Sequence, residues 1–182
     1  LDLGINAAVE TALAAETGDA RYAADTHHRF VEQYRKVVLG GRPDPVPADP
    51  WAQLRAAVAA VLDSWHSPRA QVYRSNRGLS DAGCTAVTIQ AMVFGNLDER
   101  SGAGVLFSRN PITGDPPPWG EWLQRSQGED VVSGRHTPEP LDALREQMPE
   151  VHAELMRATA TLEADARDIQ DIEYTVESGQ LW

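Results

Sequence analysis

The last fourteen residues, 169–182, alternate between apolar and polar side chains, and this period of two predicts a β-strand. Asp171 and Glu173 lie two residues apart, so both carboxylates leave the same face of the strand. Ile172, Tyr174 and Val176 point to the opposite face and predict a core there. Two carboxylates on one rigid strand suit a hard divalent cation such as Mg²⁺. On these residues alone, a half-buried sheet with an acidic solvent face is the favoured interpretation.

The chain is strongly acidic: its 182 residues include 16 basic and 27 acidic side chains, for a formal net charge of -11. This length predicts one full core, divided at most into two lobes. Because an acidic surface repels phosphate backbones, we expect no nucleic-acid partner. An anionic ligand such as ATP would need a metal ion and local arginines.

The sequence lacks the patterns of a membrane span, a signal peptide and a disulfide-bonded protein. No apolar run reaches the length of a membrane span and no signal peptide opens the chain, so we expect no membrane partner. Cys84 is the only cysteine, which excludes an intrachain disulfide and fits a cytoplasmic location. The chain begins at Leu1 without a methionine and stops at Trp182 in a strand pattern, so we expect a piece of a longer protein.

The first third of the chain has a helical pattern. Residues 20–39 carry one apolar stripe of helical period, and two glycines end it. A proline-rich connector over 42–50 ends in Asp49 and Pro50, an N-cap followed by a proline at the first helical position. The helix that they open carries apolar residues at helical spacing from Trp51 onward. These patterns predict a helical subdomain over 1–69.

From residue 70 onward, strand and helix patterns are mixed. Strands are predicted at the ranges 71–74, 85–94, 103–108 and 119–123. Residues 138–169 are helical in pattern, with a break or restart at Pro149. Together with the final strand, this predicts an α+β fold. A helical lobe is followed by an antiparallel-sheet lobe with packed helices over 70–182.

Candidate chemistry rests on carboxylates rather than on histidine, cysteine or glycine loops. No nucleophile elbow and no glycine loop with a lysine occurs, and the histidines do not cluster at metal-ligand spacing. Glu121, Glu129 and Asp130 could join Asp171 and Glu173 in one cleft if their strands are neighbours. Convergent like charges are costly unless a cation neutralises them, which predicts a metal-nucleotide site. The alternative is a set of scattered surface acids.

A series of segments along nearly the whole chain resembles the amino-terminal nucleotide-binding region of the pyruvate, phosphate dikinase family, an ATP-grasp fold. The segments that carry the resemblance occur in the family's order, at 1–6, 24–30, 88–96, 101–114, 120–123, 127–132 and 170–175. The related phosphoenolpyruvate synthases and rifampicin phosphotransferases share the fold but match the first and fourth segments less well.

The resemblance implies a role for each candidate residue, and the residues are grouped here by role. The adenine pocket would be lined by Gln90, Ala91, Met92 and Val93. Magnesium on the ATP phosphates would be held by Asp171 and Glu173, which are also the implied catalytic residues. Glu121 and Glu129 would line the same cleft. Arg109 would contact phosphate, or it would pair with a neighbouring acid at a strand end.

The same resemblance implies a larger reaction. Mg-ATP phosphorylates a histidine on a separate carrier domain of the same parent chain, other domains take pyruvate and phosphate to phosphoenolpyruvate, and the parent is a homodimer. The family's flanking phosphate-binding segments are missing, and the region around 38–50 is shorter than usual, so we expect the fragment alone to be inactive. The competing hypothesis is a non-catalytic interaction module of ATP-grasp-like shape. A free-standing acidic helical scaffold is disfavoured.

Overall fold

The computed structural model describes residues 1–134 and 136–182, and the chain divides into two compact units, Leu1–Ala91 and Met92–Trp182. In the described residues, the first unit forms helices only, whereas the second combines helices with an antiparallel sheet. The α+β fold class is therefore confirmed. The units differ from the predicted ranges 1–69 and 70–182, because residues 68–77 belong to the helical unit.

The first unit contains four helices, each begun by a side chain that caps the free backbone N–H groups. They are α1 Ala7–Thr17, α2 Ala20–Val37, α3 Pro50–Ser64 and α4 Pro68–Arg77. The predicted N-cap at Asp49 and the proline at the first position of α3 are both confirmed. Across the described residues of both units, no helix is long and apolar enough to cross a membrane.

Residues 71–74 lie within α4, so the short strand predicted there is wrong. α3 ends at Ser64, and Ser67 and Pro68 begin α4: the Ser67 hydroxyl accepts from the Ala70 N–H at 3.3 Å. Buried Arg74 ties α4 to the end of α3. Its guanidinium donates to the Trp65 carbonyl at 2.8 Å and lies over the indole ring at 4.1 Å.

The helix α3 exists as predicted, but its most buried side chains are polar or small. Gln53 and Ala57 are buried, whereas Trp51 is 67% exposed. The Gln53 amide accepts from the Gly4 N–H at 2.8 Å and donates to the Pro47 carbonyl at 2.7 Å. The orientation of α3 therefore follows from the hydrogen bonds of the buried Gln53 amide, which satisfy both its oxygen and its nitrogen, rather than from the apolar period.

The strand predicted over residues 85–94 is wrong. None of these residues belongs to a helix or a strand, and Ile89 and Met92 are 68% and 43% exposed. The β-branched composition supplies the propensity, but a strand also needs a neighbouring ladder to satisfy its backbone groups. No ladder partner for this segment is found among the residues that the structure describes.

In its described residues, the second unit is a five-stranded antiparallel sheet with three helices. Its elements are β1 Gly102–Phe107, β2 Trp119–Gln124, α5 Gly128–Val132, β3 Glu139–Pro140, α6 Leu141–Gln147, α7 Pro149–Ala166, β4 Asp171–Glu177 and β5 Gln180–Leu181. The strand order is β3-β2-β1-β4-β5. The predicted helix restart at Pro149 is confirmed, because this proline occupies the first turn of α7.

The final segment is a hairpin rather than one strand. β4 and β5 pair across Ser178 and Gly179, whose φ angles of 50° and 82° form a two-residue turn. The alternation predicted for β4 is confirmed, with Tyr174 and Val176 buried. Glycine at position 179 also leaves room for the Arg100 guanidinium, which a Cβ would meet.

One face of the sheet carries the core of this unit. Trp122 on β2 and Tyr174 on β4 flank Gly104 of β1, and Leu106 lies in the next row of the same face. α6 and α7 pack their leucines against these residues. The Trp122 and Tyr174 rings stack with centroids 6.1 Å apart and planes 5° from parallel. Burial raises the pKa of the Tyr174 hydroxyl.

Asp98 joins the loop before β1 to the β4–β5 turn, and we expect this link to be pH-dependent. Its carboxylate accepts from the Ser101 hydroxyl at 2.7 Å, the Ser178 hydroxyl at 2.6 Å and the Arg100 N–H at 2.8 Å. Partial desolvation raises the pKa of Asp98, but these hydrogen bonds and the Arg100 charge outweigh it and lower the pKa. The stabilisation is therefore present above the unfolded pKa and is lost as the pH falls through the folded one.

The test is urea unfolding at pH 7 and at about pH 3, below the ordinary aspartate pKa of about 3.9. Asp98→Asn should lower the free energy of unfolding at pH 7, and its difference from the natural protein should shrink at the lower pH. Asp115→Asn, an exposed acid in the loop after β1, should change stability little at either pH. A difference for Asp98→Asn that stays the same at both pH values would contradict this interpretation.

Candidate functional site

The strand register brings Glu121 and Glu173 to one face of the sheet. Val105 on β1 pairs with Glu121 on β2 and with Glu173 on β4. Directly paired residues in an antiparallel sheet project from the same face, so the two carboxylates flank Val105. This face is opposite to the one covered by α6 and α7. β2 and β4 are not neighbouring strands, as the prediction of one shared cleft had required, because β1 lies between them. Their acids share a face but are separated by one strand.

The next row of the same face adds Asp171. Phe107 pairs with Trp119 on one side and with Asp171 on the other. Trp119 is 49% exposed, and its ring lies 6.4 Å from the Phe107 ring between centroids. The acids therefore sit beside an aromatic surface. We call Glu121, Asp171 and Glu173 the carboxylate face.

The spacing on this face suits a cation that takes further ligands from outside the protein. Asp171 and Glu173 are about 7 Å apart along β4, whereas Glu121 and Glu173 are about 10 Å apart across two strands. Among the described residues, no group of three or more acids, histidines or cysteines could hold a metal. Mg²⁺ fits a carboxylate pair, because it commonly binds one or two carboxylates plus substrate phosphates.

The acidic residues of the protein are concentrated in the second unit, which carries the carboxylate face. Residues 92–182 contain 17 of the 27 acidic side chains and 7 of the 16 basic ones, so this unit carries -10 of the net charge of -11. Asp171 and Glu173 are exposed and Glu121 is half-buried. A bound cation would relieve the repulsion between these acids.

Two predicted site residues lie elsewhere in the second unit. Glu129 is exposed at the start of α5, which packs against β1, β2 and β4. Arg109 follows β1, and its Nε donates to Glu163 on α7 at 2.6 Å. Hydrogen bonds from the Ser108 hydroxyl and Arg109 lower the pKa of Glu163. The structure thus shows the ion pair that was the alternative role for Arg109.

Along the chain, the predicted adenine residues span the boundary between the two units. Gln90 and Ala91 end the first unit, and Met92 and Val93 begin the second. All but Val93 are exposed. No backbone hydrogen bond is found for these four residues within the part of the chain that the structure describes. Their N–H and C=O groups therefore remain able to bind a ligand.

Glu177 is a candidate site residue that was not predicted from the sequence. It follows Asp171 and Glu173 at even spacing on β4, and alternation places it on the same face. Its carboxylate accepts from the Phe94 N–H at 2.5 Å, directly after the predicted adenine residues. The even spacing was a visible signal, but its partner is 83 residues away in sequence.

A helical unit followed in the chain by an α+β unit with an acidic sheet face is compatible with a nucleotide-binding region of the ATP-grasp type. The chain belongs to the pyruvate phosphate dikinase AMP/ATP-binding domain family, whose model matches residues 8–152. The family resemblance of the sequence motifs is thereby confirmed.

Relatives of this chain are named as dikinases. It is 40% identical to pyruvate, phosphate dikinase 2 of Zea mays over 225 aligned positions, which cover all of this chain and 25% of the relative. It is 39% identical to the chloroplastic pyruvate, phosphate dikinase 1 of Oryza sativa subsp. japonica and 40% identical to that of Arabidopsis thaliana, covering 24% and 23% of them. The chain therefore spans about a quarter of the length of these relatives.

The Zea mays alignment also shows a length difference. It has 225 positions against the 182 residues of this chain, so 43 positions of the relative face a gap. A shortened region near residues 38–50 is the predicted place for this gap, and that placement stays a prediction.

Proposed function

We propose that the carboxylate face binds Mg-ATP, and that the chain is the ATP-binding portion of a pyruvate, phosphate dikinase-like phosphotransferase. The observation that carries the proposal is the register that places Glu121 and Glu173 on either side of Val105, with Asp171 in the next row. Membership of an AMP/ATP-binding family supports ATP as the ligand.

Asp171 and Glu173 are the residues proposed to hold magnesium. When bound, the ion would neutralise phosphate charge and align the transferred phosphoryl group. Both acids lie on one strand and pair there with Phe107 and Val105 of β1, so their separation is set before the ligand arrives. Glu121 lies across the same face, where its charge would bear on the position of the metal-bound phosphates.

The adenine base is proposed to contact the backbone of Gln90 to Val93. Support comes from the exposure of this segment and from its lack of backbone pairing in the described structure. Backbone donors and acceptors can read the edge of a base, and the Met92 side chain can pack on its face. A direct phosphate role for Arg109 would require its ion pair with Glu163 to break.

The remaining parts of the reaction are proposed by analogy with the family. A histidine on a separate carrier domain of the parent chain would accept the phosphoryl group, pyruvate and phosphate would bind to other domains, and the parent would be a homodimer. Glu129 is proposed to line the nucleotide cleft. A cytoplasmic location is proposed from the single cysteine, although several plant relatives carry names that place them in the chloroplast.

Titration of the full-length natural protein with ATP, with and without Mg²⁺, tests this proposal. We expect binding by calorimetry that depends on magnesium, because the acidic unit repels the free nucleotide. GTP should bind more weakly if the backbone of Gln90 to Val93 reads the base edge. Saturating binding of ATP in the presence of a chelator, or no binding at millimolar ATP, would contradict the proposal.

A further inference from the structure

The three residues after the predicted adenine segment are held by contacts to several elements of the second unit. The first contact is the hydrogen bond from the Phe94 N–H to the Glu177 carboxylate. Phe94 and Glu177 are both half-buried. A charge-assisted bond of this kind is stronger than a neutral one, and Glu177 supplies it from the end of β4 that pairs with β5.

Gly95 provides the second contact. It is buried, and a Cβ on it would meet the carbonyl oxygens of Ser126 and Gly102. The backbone therefore passes closely between the start of β1 and the loop after β2. Only a residue without a side chain fits this passage unless β1 and the loop after β2 move apart.

Asn96 provides the third contact. It is 8% exposed, and its side-chain oxygen accepts from the Gln127 amide at 3.4 Å. Gln127 is the N-cap residue of α5, and its backbone N–H donates to the Asp130 carboxylate at 3.0 Å. Residues 94–96 are thus attached to β4, to β1 and to the α5 helix that carries Glu129.

β4 connects these contacts to the proposed metal ligands, because Glu177, Glu173 and Asp171 all lie on this strand. Glu177 and Glu173 are on the same face and about 13 Å apart along the strand. The attached end of the adenine segment therefore lies at one end of β4, and the proposed metal ligands lie at the other. An extended nucleoside triphosphate can lie along the strand between them.

We propose that Glu177 is a positioning residue for the nucleotide: it fixes the backbone of Met92 to Phe94 at a set distance from Asp171 and Glu173. The base and the metal-bound phosphates are then bound at a fixed separation. This inference rests on the proposed function of the carboxylate face, and it gives Glu177 no contact with the reacting atoms.

The experiment compares ATP with inorganic tripolyphosphate, which has the phosphates but no base. Calorimetry is performed with Mg²⁺ on the full-length natural protein and on Glu177→Ala, Glu177→Asp and Glu177→Gln. Loss of the attachment should weaken ATP binding on the order of 10-fold in Glu177→Ala, with tripolyphosphate affinity changed less than about 2-fold. Glu177→Gln keeps an acceptor of the same length and should recover most of the affinity.

Glu177→Asp keeps the charge but is one methylene shorter, so it should show the same selective loss as alanine. It decides the question if Glu177→Ala does not fold. An equal loss for both ligands, or unchanged ATP affinity in the aspartate and alanine variants, would overturn the positioning role. Failure of the unchanged protein to bind either ligand would overturn the proposed function, and the positioning role with it.

Discussion

Replacing the two acids of β4 should abolish magnesium-dependent nucleotide binding while leaving the fold intact. Asp171→Asn and Glu173→Gln keep the size and shape of each side chain but remove the charge that a hard cation requires. We expect each change to reduce phosphoryl transfer by the full-length natural protein on the order of 100-fold or more, because this chemistry depends on charge neutralisation and alignment.

The free energy of unfolding should stay the same or increase in these two variants. Both side chains are exposed on an acidic sheet face, so removing one charge relieves repulsion rather than breaking a core contact. Circular dichroism and urea unfolding should therefore show a folded protein of equal or greater stability. Phosphoryl transfer is measured by transfer of label from ATP to the protein.

Asp165→Asn is the matched control. This exposed acid lies near the end of α7 and outside the carboxylate face, so the change removes the same charge from the same unit. It should leave transfer within about 2-fold, because screening by solvent reduces the effect of distant charges. Full activity in Glu173→Gln would favour a non-catalytic interaction module, whereas equal losses in all three variants would indicate a general effect of charge.

The second large effect is expected at Trp122, in the core of the same unit. Trp122 is fully buried, stacks on Tyr174, and donates from its indole Nε1 to the Gln147 side chain at 2.9 Å. Trp122→Ala removes this packing and leaves a cavity between the sheet and α6. We expect a loss of about 3–5 kcal/mol in the free energy of unfolding, a large part of the stability of a domain.

Trp119→Ala is the control on the same strand. Trp119 lies on the opposite face and is 49% exposed, so its truncation should cost less than about 1 kcal/mol. Unfolding is followed by circular dichroism, since each change removes a fluorophore. Amide exchange of β1 residues should accelerate in Trp122→Ala and remain slow in Trp119→Ala. Similar losses in the two variants would contradict the assignment of the core to the face with Trp122.

Much of the second unit could be predicted from the sequence, because its signals are local. The alternation in 171–177 placed Asp171 and Glu173 on one face and Tyr174 and Val176 on the other, as observed. A period of two needs no knowledge of the partner strand. The restart of the helix at Pro149 was equally local, because proline restricts the backbone wherever it occurs.

The errors arose where a contact distant in sequence decided the outcome. The β-branched segment 85–94 has strand propensity but forms no strand. In α3, the amide of Gln53 binds Gly4 and Pro47, so a polar side chain is buried and Trp51 remains exposed. Propensity and apolar period describe what a segment can do, and the available partners decide what it does.

The sequence by itself therefore determined the family, the helix restart at Pro149 and the shared face of Asp171 and Glu173, because motifs, caps and periodicity are properties of neighbouring residues. Only the tertiary structure decided that Glu121 joins them across Val105 and that Glu177 holds Phe94. Strand register and long-range hydrogen bonds depend on how the chain closes its loops, and a shift of one residue would move Glu121 to the opposite face.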